Sequence, residues 1–424
     1  MNDPSVFSAL ILGIDTNLPD AKWTARESID ELAELTTTAG YQVKDKIIQN
    51  RATPHPKTYV GPGKLDEIAS LIEEYQTKIL VLDDELTPAQ HKFIESHLNT
   101  KVIDRTGLIL DIFAQRAHTA EAKLQVELAQ LNYLSPRLTN LWTHLSRQSG
   151  GIGTRGPGEK QLEVDKRQIS VRIKTIKQKL KKVEQHRHIQ NKRRKHLNIA
   201  VIAGYTNSGK STLMNRVTKA GVLAENQLFA TLDPTTRKLR LSNNETILIT
   251  DTVGFIQKLP HHLVKAFHAT LEGISDATVI LHTIDVSSPK AVEMIETSQR
   301  IFETLEAADI PQLFVFNKID KVPNLNSLKR TLSSFSPSIF ISAKDDTDFK
   351  SLLTSIEDLL SSKKKKFKYR IDYSRMDIVH LLHTNGRILT KEAHDDHLEI
   401  EVEIDQVMGE KLWGELYRSD PPTA

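Results

Sequence analysis

LNIAVIAGYTNSGKSTLMN, residues 197–215, is the stretch on which the fold turns. An apolar strand pattern runs into a loop spelled GYTNSGKS, Gly204 to Ser211, and the loop runs into a helical pattern. The loop is a complete G-x-x-x-x-G-K-S, with the strand before it and the helix after it that this chemistry requires. In such a loop the backbone N–H groups of Gly204, Tyr205, Thr206, Asn207, Ser208 and Gly209 and a helix amino terminus face phosphate oxygens. Lys210 reaches the β and γ phosphates, and the Ser211 hydroxyl binds Mg2+. Further along, DTVG (Asp251, Thr252, Val253, Gly254) closes a second strand. There an acid can hold the metal through water and a glycine N–H can meet the γ phosphate.

Two more strand ends select the base. FNKID supplies Asn317, Lys318, Ile319 and Asp320, and SAK supplies Ser342, Ala343 and Lys344. Asp320 can accept from guanine N1–H and the N2 amine, the Lys318 stem can cover the ring, and the Ala343 N–H faces O6. Adenine would leave the carboxylate unpaired, which predicts GTP over ATP. Between loop and metal strand lies LFATLDPTTR, residues 228–237, with Phe229, Ala230, Thr231, Leu232 and Asp233 as candidate nucleotide contacts. One threonine must complete the Mg2+ shell when γ phosphate is present. Thr231 is the first choice, with Thr235 and Thr236 as rivals. Lys210, Thr231 and Gly254 are thus the catalytic candidates, and Ser211 and Thr231 the metal ligands.

At 424 residues the chain has room for about three domains. Residues 1–118 alternate short apolar runs with helical patterns, which predicts a parallel α/β domain covered on both faces. Leu124, Leu128, Leu131, Leu138, Trp142 and Leu145 form a helical seam interrupted by Pro136, and Leu162, Ile169, Ile173, Ile176, Leu180 and Val183 form another. With the Gly-rich run 149–158 between them, residues 119–196 are expected to be a long antiparallel helical hairpin. Residues 197–362 form the P-loop domain. SSKKKK reads as a solvated linker, and 363–424 as a small α+β domain with strands FKYRIDY and HLEIEVEID. Overall the class is α/β.

The formal charge of +3 conceals two opposed regions. Residues 160–196 hold fourteen Lys or Arg and three acids, a run suited to phosphate contacts, while the rest of the chain is net acidic. Arg147, Arg155, Lys160, Arg167 and Arg172 are the RNA-binding candidates. The absence of cysteine excludes disulfide frameworks, thiolate metal sites and cysteine nucleophiles. No run approaches the roughly 20 apolar residues that cross a bilayer, so a cytoplasmic protein is expected. Histidines 186, 188, 261, 262 and 268 lack the companion spacing of a metal site.

GYTNSGKSTLMN, LFATLDPTTR, DTVGFIQKLP, NKID and SAK together resemble the HflX GTPases, of the Obg-HflX branch. TAGYQV, DRTGLILDIFAQRA, KLQVELAQLNYLSPRL and GGIGTRGPGEKQLE carry the same resemblance through the first half. The resemblance implies a GTP-hydrolysing, ribosome-associated protein that binds the large subunit and its rRNA, some relatives splitting ribosomes. Rival readings are a ribosome-assembly GTPase of the Obg or Era kind and a nucleotide-dependent RNA remodeller. After DTVG stands Phe255, where small signalling GTPases carry a glutamine that orients water. Slow intrinsic hydrolysis stimulated by the ribosome is therefore expected. Asn207 suits a K+ ligand in related GTPases, and a monomer is expected. Gly61 to Lys64 reads as a helix-entry turn rather than an ATP loop.

Overall fold

The computed structural model describes residues 7–17, 22–141, 157–194, 198–218, 228–229, 231–241, 245–258, 260, 273–345, 349–361 and 364–416. Three sheets carry the architecture. The first has strands β1 (Ser8–Asp15), β2 (Gln42–Asn50), β3 (Ile79–Leu82) and β4 (Lys101–Asp104), in the order β2-β1-β3-β4 and all parallel. The apolar runs of β1, β3 and β4 are buried by helices α1 (Ala25–Thr38), α2 (Pro62–Tyr75), α3 (Pro88–Leu98) and α4 (Arg105–Arg116), whereas the edge strand β2 buries only Ile47. Local chemistry sets these helix starts. Thr24 and Glu27 form a capping box on α1, Thr87 and Gln90 another on α3 just before Pro88, and Asp104 caps α4. In this order strands are added to one side of β1 and then to the other, so the winding reverses between β1 and β3, which opens a crevice at their carboxyl ends.

Two long helices follow, α5 (Ala120–Leu141) and α6 (Pro157–Arg194). The heptad seam is visible on α6. Ile176 is buried, and Ile169, Ile173, Leu180 and Val183 are half-buried among exposed neighbours. Arg172 of α6 pairs with Glu127 of α5 at 2.6 Å. Pro136 does not break α5, which stays helical to Leu141. Just beyond it, Arg137 stacks on the Tyr133 ring at 3.6 Å and reaches the Leu86 carbonyl and the Asp104 carboxylate, each at 2.9 Å. The Gly-rich run 149–158 lies outside the described residues apart from the start of α6 at Pro157.

The second sheet runs β10-β9-β8-β5-β7-β6. Its members are β5 (Ile199–Ala203), β6 (Thr235–Arg240), β7 (Thr246–Asp251), β8 (Val279–Asp285), β9 (Gln312–Asn317) and β10 (Ser338–Phe340). All pairs are parallel except β6 with β7. The strand β6 has no apolar periodicity, because as an edge strand it exposes Thr236, Arg237, Lys238 and Arg240, leaves Thr235 half-buried and buries only Leu239. Helices α7 (Lys210–Thr218), α8 (Ala291–Thr304), α9 (Leu325–Thr331) and α10 (Phe349–Ser361) belong to this unit.

The third sheet is antiparallel, in the order β11-β13-β12, with β11 (Lys364–Asp372), β12 (Gly386–Ala393) and β13 (His397–Asp405); α11 (Met376–Asn385) connects β11 to β12 and α12 (Gln406–Leu416) follows β13. It corrects the reading of the lysine run as linker. Lys364, Lys365 and Lys366 are part of β11, where Lys366 faces Glu403 and Lys368 faces Glu401 across the ladder. Opposite charges across strands stabilise what a lysine run by itself would not. Among the described residues no helix is long and apolar enough to cross a membrane.

Candidate nucleotide-binding site

The carboxyl ends of β5, β7 and β9, the start of α7 and the 342–344 turn surround a cavity of about 380 Å3. Thr206, Asn207, Gly209, Lys210, Ser211, Phe229, Thr231, Thr252, Gly254, Asn317, Lys318, Asp320, Ala343 and Lys344 line it. The loop needs its glycines. Gly204 has φ +146° and a Cβ there would stand 2.2 Å from the Thr283 carbonyl oxygen, while Gly209 has φ +94° and a Cβ would stand 2.3 Å from Asn317 Nδ2. The Lys210 Nζ donates to the carbonyls of Tyr205 (2.8 Å) and Gly204 (3.2 Å), and burial pushes its ammonium down to about 8.

At the phosphate end Ser211 Oγ lies 2.8 Å from Thr231 Oγ1, and the two hydroxyls donate to Asp251 Oδ2 at 2.8 and 3.2 Å. Asp251 is fully buried, and burial pushes its carboxyl up against the pull of Lys210 and of the two hydroxyls. Its Oδ1 is buried with no hydrogen-bond partner. Three oxygen ligands and an unpaired carboxylate oxygen are the donor set that a hard divalent cation takes. Of the three threonines considered, only Thr231 meets this cluster. Thr235 and Thr236 lie in β6, where Thr236 bonds Thr250.

At the base end Asn317 acts as a brace. Its Nδ2 donates to the Ser208 carbonyl (2.8 Å) and its Oδ1 accepts from the Ala343 N–H (2.9 Å). That N–H, expected to face guanine O6, is thus engaged inside the protein, because the 342–344 turn packs directly on Asn317. Lys318, at φ +66°, spans from Asp285 (2.6 Å) to the Asn207 carbonyl (2.7 Å), which lays its stem along the cavity. Ser342 donates to Asp320 Oδ1 at 3.0 Å and leaves Oδ2 for a ligand. Ile319, Val253 and Leu232 support these segments without lining the cavity, and Ala230 lies outside the described residues.

Residues 26–114 match the model for the GTP-binding GTPase N-terminal region, 116–194 the GTP-binding GTPase middle region, and 199–318 the 50S ribosome-binding GTPase. GTPase HflX of Lacrimispora saccharolytica is 47% identical over 88% of this chain and 88% of its own. The chain belongs to the HflX GTPase family. GTPase HflX of Escherichia coli K12 is 43% identical over 81% of this chain and 82% of its own. A solved GTP-binding protein from Sulfolobus solfataricus in complex with GDP aligns at 25% identity over 84% of this chain and 99% of its own, with a TM-score of 0.46.

In this HflX-family chain the N-terminal unit reaches the nucleotide site at three places that the sequence did not announce. Tyr205, inside the P-loop motif, turns away from the cavity. Its hydroxyl bonds the Glu31 carboxylate and accepts from the Gln257 N–H (2.7 Å). Lys258, just past DTVG, enters the crevice at the end of β3, where Asp83 and Asp84 take its ammonium. Beneath it the buried Arg105 binds Asp83 at 2.7 Å, Glu31 at 2.8 Å and the Gln257 carbonyl at 3.2 Å. Burial works to raise the Asp83 carboxyl, but Arg105 and Lys258 outweigh it and hold it below its ordinary value. Asp233, expected on the nucleotide, instead directs its carboxylate to His118 and Thr119. The acidic partners Glu31 and Asp83 sit in unremarkable helical and strand contexts, so nothing local marked them.

The basic face divides. Arg167 is exposed, whereas Arg172 is occupied by Glu127. Arg147 and Arg155 lie outside the described residues, as do the side chain of Lys160 and histidines 261, 262 and 268.

Proposed function

We propose that this chain hydrolyses GTP to GDP and phosphate with Mg2+, and that the bound nucleotide governs its grip on the large ribosomal subunit during ribosome dissociation or rescue. The observation that carries the reading is the convergence of Ser211, Thr231 and Asp251 at one end of a cavity whose other end presents Asp320. Bound there, Mg2+ would neutralise charge between the β and γ phosphates, held by Ser211 and Thr231 directly and by Asp251 through water. Lys210 would stabilise phosphate charge, the Gly254 N–H would sense the γ phosphate, and Asp320 would select guanine.

The attacking water has no side chain to orient it at the usual place. Phe255 is 1% exposed, packs edge-on against Phe302 at 78°, and donates its N–H to the Gly204 carbonyl. This supports slow intrinsic hydrolysis accelerated by the ribosome, with the exposed basic residues of α6 supplying rRNA phosphate contacts. The Asn207 side chain at the cavity wall supports a K+ ligand, so hydrolysis should be faster in potassium than in sodium buffer.

Sedimentation of the full chain with separated ribosomal subunits tests the reading. Cosedimentation with the large subunit in a non-hydrolysable GTP analogue, weakened in GDP, is the expected result. Equal pelleting in both nucleotides, or equal GTP turnover with and without large subunits, would refute it.

A further inference from the structure

The segment that carries Thr231 is held from outside the GTPase sheet. Two residues beyond it, Asp233 Oδ2 accepts the N–H groups of His118 (2.9 Å) and Thr119 (3.1 Å), and Oδ1 accepts the Thr119 hydroxyl at 2.6 Å. Thr119 stands immediately before α5. The same hydroxyl accepts from the Ala122 N–H at 3.1 Å, and the Thr119 carbonyl accepts from Lys123 at 3.0 Å. One threonine therefore caps a 22-residue helix and is gripped by a carboxylate from the segment beside the nucleotide. A carboxylate at a helix amino terminus meets both free N–H donors and the positive end of the helix dipole. Apolar contacts fix the same segment. Leu228 and Leu232 are buried in the core shared with the N-terminal unit, and the Phe229 ring meets Phe113 of α4 edge-on at 4.8 Å.

We propose that Asp233 is a positioning residue for GTP hydrolysis: anchored on the amino terminus of α5, it holds Thr231 against Ser211 and Asp251. The N-terminal unit and the helical pair that follows it thus supply, in the same chain, part of the support of the γ-phosphate-sensing threonine. The inference rests on the reading of Thr231 as that threonine. Linkage makes the anchor reciprocal. A nucleotide that draws Thr231 into the metal site also favours the docked position of α5, and so sets the helical pair that carries the basic face. GDP makes no use of Thr231 and should be indifferent to the anchor.

The test uses the full chain with Thr119→Val, Thr119→Ser, Asp233→Asn, the double variant Thr119→Val/Asp233→Asn, and Thr231→Ala. Affinities for fluorescent GDP and for a fluorescent non-hydrolysable GTP analogue are measured with Mg2+ titrated. Thr119→Val and Asp233→Asn should each weaken the analogue about tenfold, equivalent to about 1.4 kcal/mol, and raise the Mg2+ requirement, with GDP affinity unchanged. Thr119→Ser should behave as wild type. The double variant should be no worse than Asp233→Asn, since both changes remove one contact. An unchanged analogue-to-GDP ratio in Thr119→Val and Asp233→Asn, beside a lowered ratio in Thr231→Ala, overturns the anchor and leaves the Thr231 reading standing. An unchanged ratio in Thr231→Ala overturns that reading and the anchor with it. If Thr119→Val fails to fold, Asp233→Asn against wild type decides alone.

Discussion

A methyl group added to Gly209 would meet Asn317, which ties the 204–211 loop to the 342–344 turn. The Gly209 φ of +94° already lies where a Cβ is strained, and Asn317 Nδ2 stands 2.3 Å from the added atom. Gly209→Ala should weaken nucleotide binding by about 5- to 150-fold, as strain of roughly 1–3 kcal/mol is forced on the loop, and isothermal titration with GDP checks it. Asp320 offers a second residue-scale test. With Ser342 on Oδ1, an asparagine there presents an amide where guanine needs an acceptor. Asp320→Asn should shift preference from guanosine to xanthosine diphosphate by about 100-fold, read by competition binding; unchanged guanine preference refutes the assignment. Both residues were legible in the sequence because their chemistry is local, a loop of N–H groups and a carboxylate at a strand end. The brace role of Asn317 was not, because its two partners, Ser208 and Ala343, come from other strand ends.

Among the elements, the joint between α4 and the segment after β7 rests on one buried cation. Arg105, the first residue of α4, is 1% exposed and satisfies Asp83, Glu31 and two backbone carbonyls in the N-terminal unit and one after β7. Arg105→Met should cost about 3–5 kcal/mol, because two buried carboxylates lose the guanidinium they share, leaving Asp83 to Lys258 and Glu31 to the Tyr205 hydroxyl, and should appear as a lower apparent Tm. The same cluster sets a pH dependence. With its folded pKa held below the unfolded value of about 3.9, ionised Asp83 contributes stability that is fully present above that value. This contribution is lost as pH falls through the depressed folded value. Asp83→Asn should flatten the acid limb of a Tm-against-pH curve, and an unchanged slope would count against the assignment. The helices themselves were readable from caps and apolar spacing, as Thr24 with Glu27 and the α6 seam illustrate. The edge strands β6 and β12 were not, since a strand exposed on one side needs no apolar pattern, only a neighbour to pair with.

For the whole molecule, the charge asymmetry becomes a face rather than a run. Arg167, Lys174, Lys177 and Lys181 are exposed on α6, whereas Arg172 is spent on Glu127. Replacing those four by glutamine should weaken large-subunit binding and reduce the slope of log K against log salt by roughly 3. Arg172→Gln should act on the pairing of α5 with α6 and leave that slope nearly unchanged. Filter binding across a salt series separates the two outcomes. By itself the sequence determined the GTP-binding family, the α/β class and the sign of the exposed helix, because each depends on residues close together in the chain. Only the tertiary structure decided that Tyr205 and Asp233 turn from the nucleotide to the first half of the chain, and that Lys258 joins them there. Their partners Glu31, Thr119 and Asp83 lie more than a hundred residues away, and a polar side chain acquires its role from whichever opposite charge or free N–H the fold brings to it.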